Sequence, residues 1–187
     1  MKTLYFVRHG EADYNVLDRV NAHPEVQNNL TATGREQAVC CRQSLAELER
    51  AIEIIYCSQF PRTQQTANIL NQHFNAPLMI DPRINETGAF AFEGQPVQQW
   101  HGANVPDRCS AVIPGCEPLS EMKRRLVEFL DFLRGVPQQR IAVVSHAEPI
   151  QIMVGQLLGQ PDHAALLRPV SHCLPISIEL AARESVS

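Results

Sequence analysis

The sequence predicts an α/β domain built on a mainly parallel sheet. Three observations point there. Short continuous apolar runs, "KTLYFV" (2–7), "IEIIYCS" (52–58) and "RIAVVS" (140–145), read as strands buried on both faces. Longer stretches with helical spacing lie between them, and alternation of this kind favours parallel pairing through crossover helices. Each run also ends in polar residues, at Arg8-His9, at Ser58 to Arg62 and at Ser145-His146. In a parallel sheet such ends gather along one edge, where ligands bind.

The elements follow in order. After the first strand, "LTATGREQAVCCRQSLAELER" (30–50) predicts a helix of about four to five turns. Thr33 and Glu36 are spaced as a capping box, and Ala38, Cys41, Leu45 and Leu48 form an apolar stripe. The second strand leads into "PRTQQTANILNQHF" (61–74), a helix with Pro61 suited to its first turn. "APLMID" (76–81) is a short strand. Residues 82–118, rich in Pro and Gly, predict a long irregular stretch, which inside a domain usually serves function. "SEMKRRLVEFLDFLRGV" (120–136) is helical, with Met122, Leu126, Phe129, Leu130 and Leu133 on one side. A strand at 140–145, a helix at "PIQIMVGQLLG" (149–159) and a closing strand at "CLPISIEL" (173–180) complete the chain.

Bulk properties set limits. A chain of 187 residues with 44% hydrophobic and 19% charged content fits one domain, 1–187. A net charge of −4 argues against a nucleic-acid partner, while a few Arg focused in one cleft remain compatible with a small anionic substrate. No apolar run is long enough to span a membrane. The N-terminal run meets Arg, His and Glu too soon for a signal peptide, so the expected location is cytoplasmic. The six cysteines, Cys40, Cys41, Cys57, Cys109, Cys116 and Cys173, contain no C-x-x-C pair and read as ordinary thiols.

The polar strand ends suggest a chemistry. Two Arg at one cleft, Arg8 and Arg62, match phosphate or carboxylate oxygens through the guanidinium fork. A histidine between them, His9, has its protonated form disfavoured by like charge, leaving a ring nitrogen free to attack. A second histidine, His146, can donate to the transferring oxygens, and a carboxyl such as Glu86 can protonate a leaving alkoxide. These parts run phosphoryl transfer with no metal and no cofactor, because Arg and His donors neutralise the developing charge. The stretch "VVSHAEPI" (143–150) admits another possibility, a zinc deaminase box in which His146 binds metal and Glu148 moves the proton. That box needs P-C-x-x-C downstream, and after His146 only Cys173 remains.

At these residues the chain resembles the histidine phosphatase superfamily, which includes phosphoglycerate mutases. "RHGE" stands at Arg8 to Glu11, with Asn15 and Arg19 at the family's downstream spacing. "LTATGREQA" (30–38), "YCSQFPRTQQTA" (56–67), "INETGAFAFEG" (84–94), "PGCEPL" (114–119) and "VVSHAEP" (143–149) follow in the family's order. The resemblance implies a phosphoglycerate mutase-like fold, three-layer α/β/α with a mostly parallel central sheet and one antiparallel edge strand. The segment 88–115 would partly cover the site. It implies that His9 accepts the phosphoryl group. Arg8, Asn15 and Arg62 would bind phosphate together with His146 and the Ala147 N–H, and Glu86 would act as acid and then base. Three positions depart from the family: Ala147 stands for a usual Gly, Asn21-Ala22 for Gln-Gly, and Cys116 for the second Gly of P-G-G-E. His101, beside Trp100, is a candidate substrate contact; His23, His73, His163 and His172 carry no expected role.

The activity expected is hydrolysis of a small phosphorylated metabolite. Mutase-type phosphotransfer, phosphoprotein (phosphohistidine) phosphatase activity and a silent binding module are the alternatives. A short covering segment and few residues after the last strand favour water as acceptor over a second hydroxyl. Oligomeric state is left open.

Overall fold

A five-stranded sheet in the order β3-β2-β4-β1-β5 forms the centre of the computed structural model, which describes residues 2–48, 51–105 and 107–180. The strands are β1 (Lys2–Arg8), β2 (Ile54–Cys57), β3 (Leu78–Ile80), β4 (Arg140–Ser145) and β5 (Ile176–Leu180). β1, β2, β3 and β4 run parallel, and β5 pairs antiparallel with β1. Burial explains the order. Ile141 to Ser145 of β4 are all buried, as a central strand demands, whereas β5 alternates with Ser177 and Glu179 exposed, as suits an edge.

Side chains alternate between two cores on opposite faces of the sheet. Leu4, Phe6, Tyr56, Ile141 and Val143 pack against α5 (Leu119–Gly135) and α6 (Ala147–Leu157). Val7, Ile55, Cys57, Ala142 and Val144 pack against α2 (Ala32–Ala46) and α3 (Pro61–Phe74). The result is the expected three-layer α/β/α arrangement with one antiparallel edge strand. The predicted stripe of α5 is wholly buried, while Leu48 lies past the end of α2 and is exposed. Residues 49, 50 and 106 of the predicted elements lie outside the described residues.

Local signals failed in three places. The cap of α2 is Thr31, not Thr33: its Oγ1 accepts the Gly34 N–H at 3.0 Å and donates to Glu11 Oε1 at 2.7 Å. Tertiary contact fixes that start, since a Cβ on Gly34 would meet Glu11 O at 1.9 Å and one on Gly10 would meet Gly34 O at 2.3 Å. The segment 82–118 contains two 3₁₀ turns, Pro82–Ile84 and Phe90–Phe92, and a short helix, α4 (Val97–Ala103). α4 buries no residue fully, so it left no periodic trace. α6 begins at Ala147, two residues before the predicted start, which leaves Pro149 in the first turn where its missing N–H costs nothing. Two single-turn helices, α1 (Asp13–Val16) and α7 (Asp162–Ala165), are further additions.

All six cysteines are free thiols; burial pushes Cys41 and Cys57 up to about 12. Among the described residues no helix is long and apolar enough to cross a membrane.

Candidate active site

The strand order brings three C-terminal ends side by side. β1 delivers Arg8 and then His9, whose N–H still donates to Ser145 O at 3.0 Å, extending the β1–β4 ladder. β2 leads through Ser58 into α3, which presents Arg62 on its first turn, and β4 ends at His146, the N-cap of α6. Glu86 follows the first 3₁₀ turn. Its loop is pinned from behind by Arg125, which donates to the carbonyls of Arg83, Asn85 and Glu86 at 2.7, 2.8 and 3.0 Å and pairs with Glu117.

Arg62 is the hub. Its guanidinium is buried and lies 4.5 Å from the Phe60 ring centroid. Nε donates to His9 Nε2 at 3.0 Å and Nη2 to His146 Nδ1 at 3.0 Å; Nη1 donates to Asn21 Oδ1, and Nη2 lies 3.6 Å from Glu86 Oε2. These bonds settle both imidazole tautomers. His9 Nδ1 faces the Gly10 carbonyl at 2.7 Å, so it carries the proton and Nε2 keeps the lone pair. His146 Nδ1 accepts from Arg62, so its proton sits on Nε2 and enters a hydroxyl chain: to Ser58 Oγ at 2.8 Å, on to Thr63 Oγ1 at 2.7 Å and to Phe60 O at 2.8 Å.

Burial first, and the Arg62 cation second, hold both histidines well below the ordinary imidazole range, so both are neutral. Burial also lowers Arg62, to about 10, which leaves it a cation at neutral pH. Glu86 is raised above the usual carboxyl range because withdrawal from water outweighs Arg62 and the Thr87 N–H, and the nearby Glu148 adds to the rise. Arg8 donates Nη1 to Val170 O at 2.9 Å, while its buried Nε has no hydrogen-bond partner among the described residues.

Ligand atoms of His9, Glu86 and His146 lie within 4.8 Å of one another, a donor set able to hold a metal ion. What converges on them is the Arg62 guanidinium, donating to both ring nitrogens and facing the carboxylate.

A cavity of about 490 Å³ opens on these groups. Arg8, His9, Asn15, Arg62 and Glu86 line it; His146 and Ala147 do not. His146 is fully buried and meets cavity-lining residues at Arg62, Glu86 and, ring edge to ring face, His9. Ala147 is the first residue of α6 and does not have a positive φ, so its methyl carries no backbone penalty. Asn15 lines the cavity and accepts the Ala12 N–H with Oδ1 at 2.9 Å, which leaves Nδ2 as its side-chain donor. The far end of the cavity stands on a separate apolar cluster of Val20, Ala89, Val97 and Trp100, with Asp18, Arg19 and His101 around it.

Sequence reasoning missed three residues. His172 also lines the cavity, donates Nδ1–H to His9 O at 2.7 Å and has its ring centroid 5.3 Å from that of His9, the planes tilted by 54°. As an isolated histidine before the closing strand it gave no signal. Asn21 supports Arg62 and is itself held by Asn28 at 3.1 Å; Ser58 orients His146. Both lay in stretches already marked, Asn21 as a departure from a motif and Ser58 at a strand end. The motif's second acid, Glu93, accepts the N–H groups of Ala22 and His23 at 2.6 and 2.9 Å and so holds the Asn21 loop.

Comparison with known proteins agrees along the whole chain. The family model described as "Histidine phosphatase superfamily (branch 1)" matches residues 4–185. A Yersinia pestis protein named "Probable phosphoglycerate mutase GpmB" is 30% identical over 181 residues, covering 92% of this chain and 82% of that one. The crystal structure of the α-ribazole phosphatase from Shigella flexneri superposes with a TM-score of 0.85 at 24% identity, covering 96% of this chain and 91% of that chain. YhfR from Bacillus stearothermophilus gives the same TM-score at 21% identity, over 97% and 92% of the two chains. At those identities the two structures speak for the fold.

Proposed function

The chain belongs to the histidine phosphatase superfamily, branch 1, and we propose that it hydrolyses a phosphomonoester of a small metabolite through a phosphohistidine on His9. One observation carries this reading. The His9 ring has its Nδ1 proton tied to Gly10, and its Nε2 lone pair meets Arg62 Nε–H at the wall of a cavity lined by two guanidinium groups.

The substrate phosphoryl group takes the place of His9 Nε2 as the acceptor for Arg62 Nε–H, which frees the lone pair to attack phosphorus. Arg8 Nε–H, Arg62 and Asn15 Nδ2–H bind the three non-bridging oxygens. His146 accepts from Arg62 Nη2 with Nδ1 and so holds the guanidinium against the phosphate. The Nε2–P bond forms as the P–O bond to the leaving group breaks, and Glu86 gives its proton to the departing oxygen. Water then attacks phosphorus, Glu86 takes a proton from it, and cleavage of P–N releases phosphate and restores neutral His9. Glu86 is a quarter exposed, which gives that water access.

The mutase names of the relatives support a second reading, in which a substrate hydroxyl replaces water as acceptor. A cavity of this size suits a small molecule better than a protein segment. The test is hydrolysis of a phosphomonoester panel by wild type and His9→Ala, with EDTA present, alongside phosphoryl exchange between monophosphoglycerates. Hydrolysis that survives EDTA, with acid-labile labelling of one histidine, is the expected result. Turnover that EDTA abolishes, or normal turnover in His9→Ala, would overturn it; exchange without hydrolysis would establish the mutase.

A further inference from the structure

Glu148 takes part in no step above, yet it lines the cavity beside Glu86 and Thr87. Both of its oxygens are occupied. Oε1 accepts Arg108 Nε–H at 2.9 Å and Oε2 accepts the Thr87 hydroxyl. Thr87, itself buried, donates its backbone N–H to Glu86 Oε1 at 3.0 Å. A line of contacts therefore runs from Arg108 through Glu148 and Thr87 to the carboxyl group of Glu86.

The other end of the line lies in the 88–115 segment. The Arg108 guanidinium sits 5.3 Å from the Trp100 ring centroid, and Trp100 is part of the cavity wall. The Arg108 and Glu148 side chains are only 13% and 19% exposed, so theirs is no surface pair that water screens away. Breaking it would leave a guanidinium without its counter-charge against an indole. Residue 148 needs two acceptor oxygens and a negative charge at once, which a carboxylate supplies and an amide does not.

We propose that Glu148 is a positioning residue for the proton donor. Held by Arg108, it fixes Thr87, and Thr87 aims the Glu86 carboxyl. The proposal rests on Glu86 being the acid.

The readout is the ratio of kcat/KM for p-nitrophenyl phosphate, whose leaving group needs little protonation, to that for an alkyl phosphate, whose leaving group needs it fully. In Glu148→Gln the ratio rises roughly tenfold, a fraction of the effect of losing a general acid altogether. Thr87→Val raises it similarly, and Thr87→Ser, which keeps the hydroxyl, restores it. In a Glu86→Gln background Glu148→Gln adds nothing to the ratio. A wild-type ratio in Glu148→Gln, or a full additional rise in the Glu86→Gln background, would overturn the positioning role. If Glu86→Gln alone leaves the ratio at its wild-type value, the acid assignment itself falls, and the positioning role with it. Thr87→Val leaves the Arg108–Glu148 pair in place and carries the test should Glu148→Gln fail to fold.

Discussion

The two ends of the cavity are built in different ways. At the proposed phosphate end, His9 and Arg62 are buried, hydrogen-bonded to each other and anchored on the end of β1 and the first turn of α3. At the far end, Asp18, Arg19, Val97, Trp100 and His101 come from loops and a seven-residue helix that buries none of its residues fully. On the proposed function, the strand ends and the α3 turn beside them hold the groups that any phosphomonoester needs. On that reading the irregular segment holds those that tell one leaving group from another, apart from Glu86 and the Arg108–Glu148 pair that serves it.

If that division is right, substitutions at the phosphate end lower activity on every ester, and substitutions at the far end change preference. The largest effect is expected from His9→Ala: a loss of roughly 10⁴-fold or more in kcat on all esters, as for nucleophile removal elsewhere, together with loss of the acid-labile label. Arg62→Ala should cost about 10³-fold, the upper range for deleting one preorganised donor. It should also move the pH profile. Burial and the Arg62 cation depress His9, so wild type stays active below the ordinary imidazole range; without the cation, His9 protonates at higher pH and the acid limb of kcat/KM shifts upward. Glu86→Gln should cost about 10²-fold on an alkyl phosphate and far less on p-nitrophenyl phosphate. Because Glu86 is raised, the wild-type alkaline limb reflects loss of its proton, and Glu86→Gln should flatten that limb. The smallest effect is expected from Trp100→Ala: about tenfold in kcat/KM, carried by KM and confined to esters with ring-bearing leaving groups. Equal losses on all substrates in Trp100→Ala would erase the distinction between the two ends.

The same contrast governs what could be read in advance. Buried strands announce themselves as apolar runs, and polar residues at their ends stand out, so Arg8, His9, Arg62 and His146 were legible, with Glu86 following from the ordered motifs. The supporting residues were not, because their partners are far along the chain: Ser58 and His146 are separated by 88 residues, His9 and His172 by 163. No local pattern encodes such a pairing. Thr33 shows the converse error, a good local capping signal overruled by the contact between Gly10 and Gly34. α4 lies between these cases, with Val97 and Trp100 packed on a side cluster too small to impose a period.

Arg62 gives the resting molecule a property of its own. On the proposed function, the lone pair that attacks phosphorus is engaged by a guanidinium N–H, so between turnovers the nucleophile is capped by its own helper. Substrate binding then becomes an exchange of acceptors: the phosphate must outbid an imidazole for the same proton donor. Departure of product phosphate returns the cap to its place.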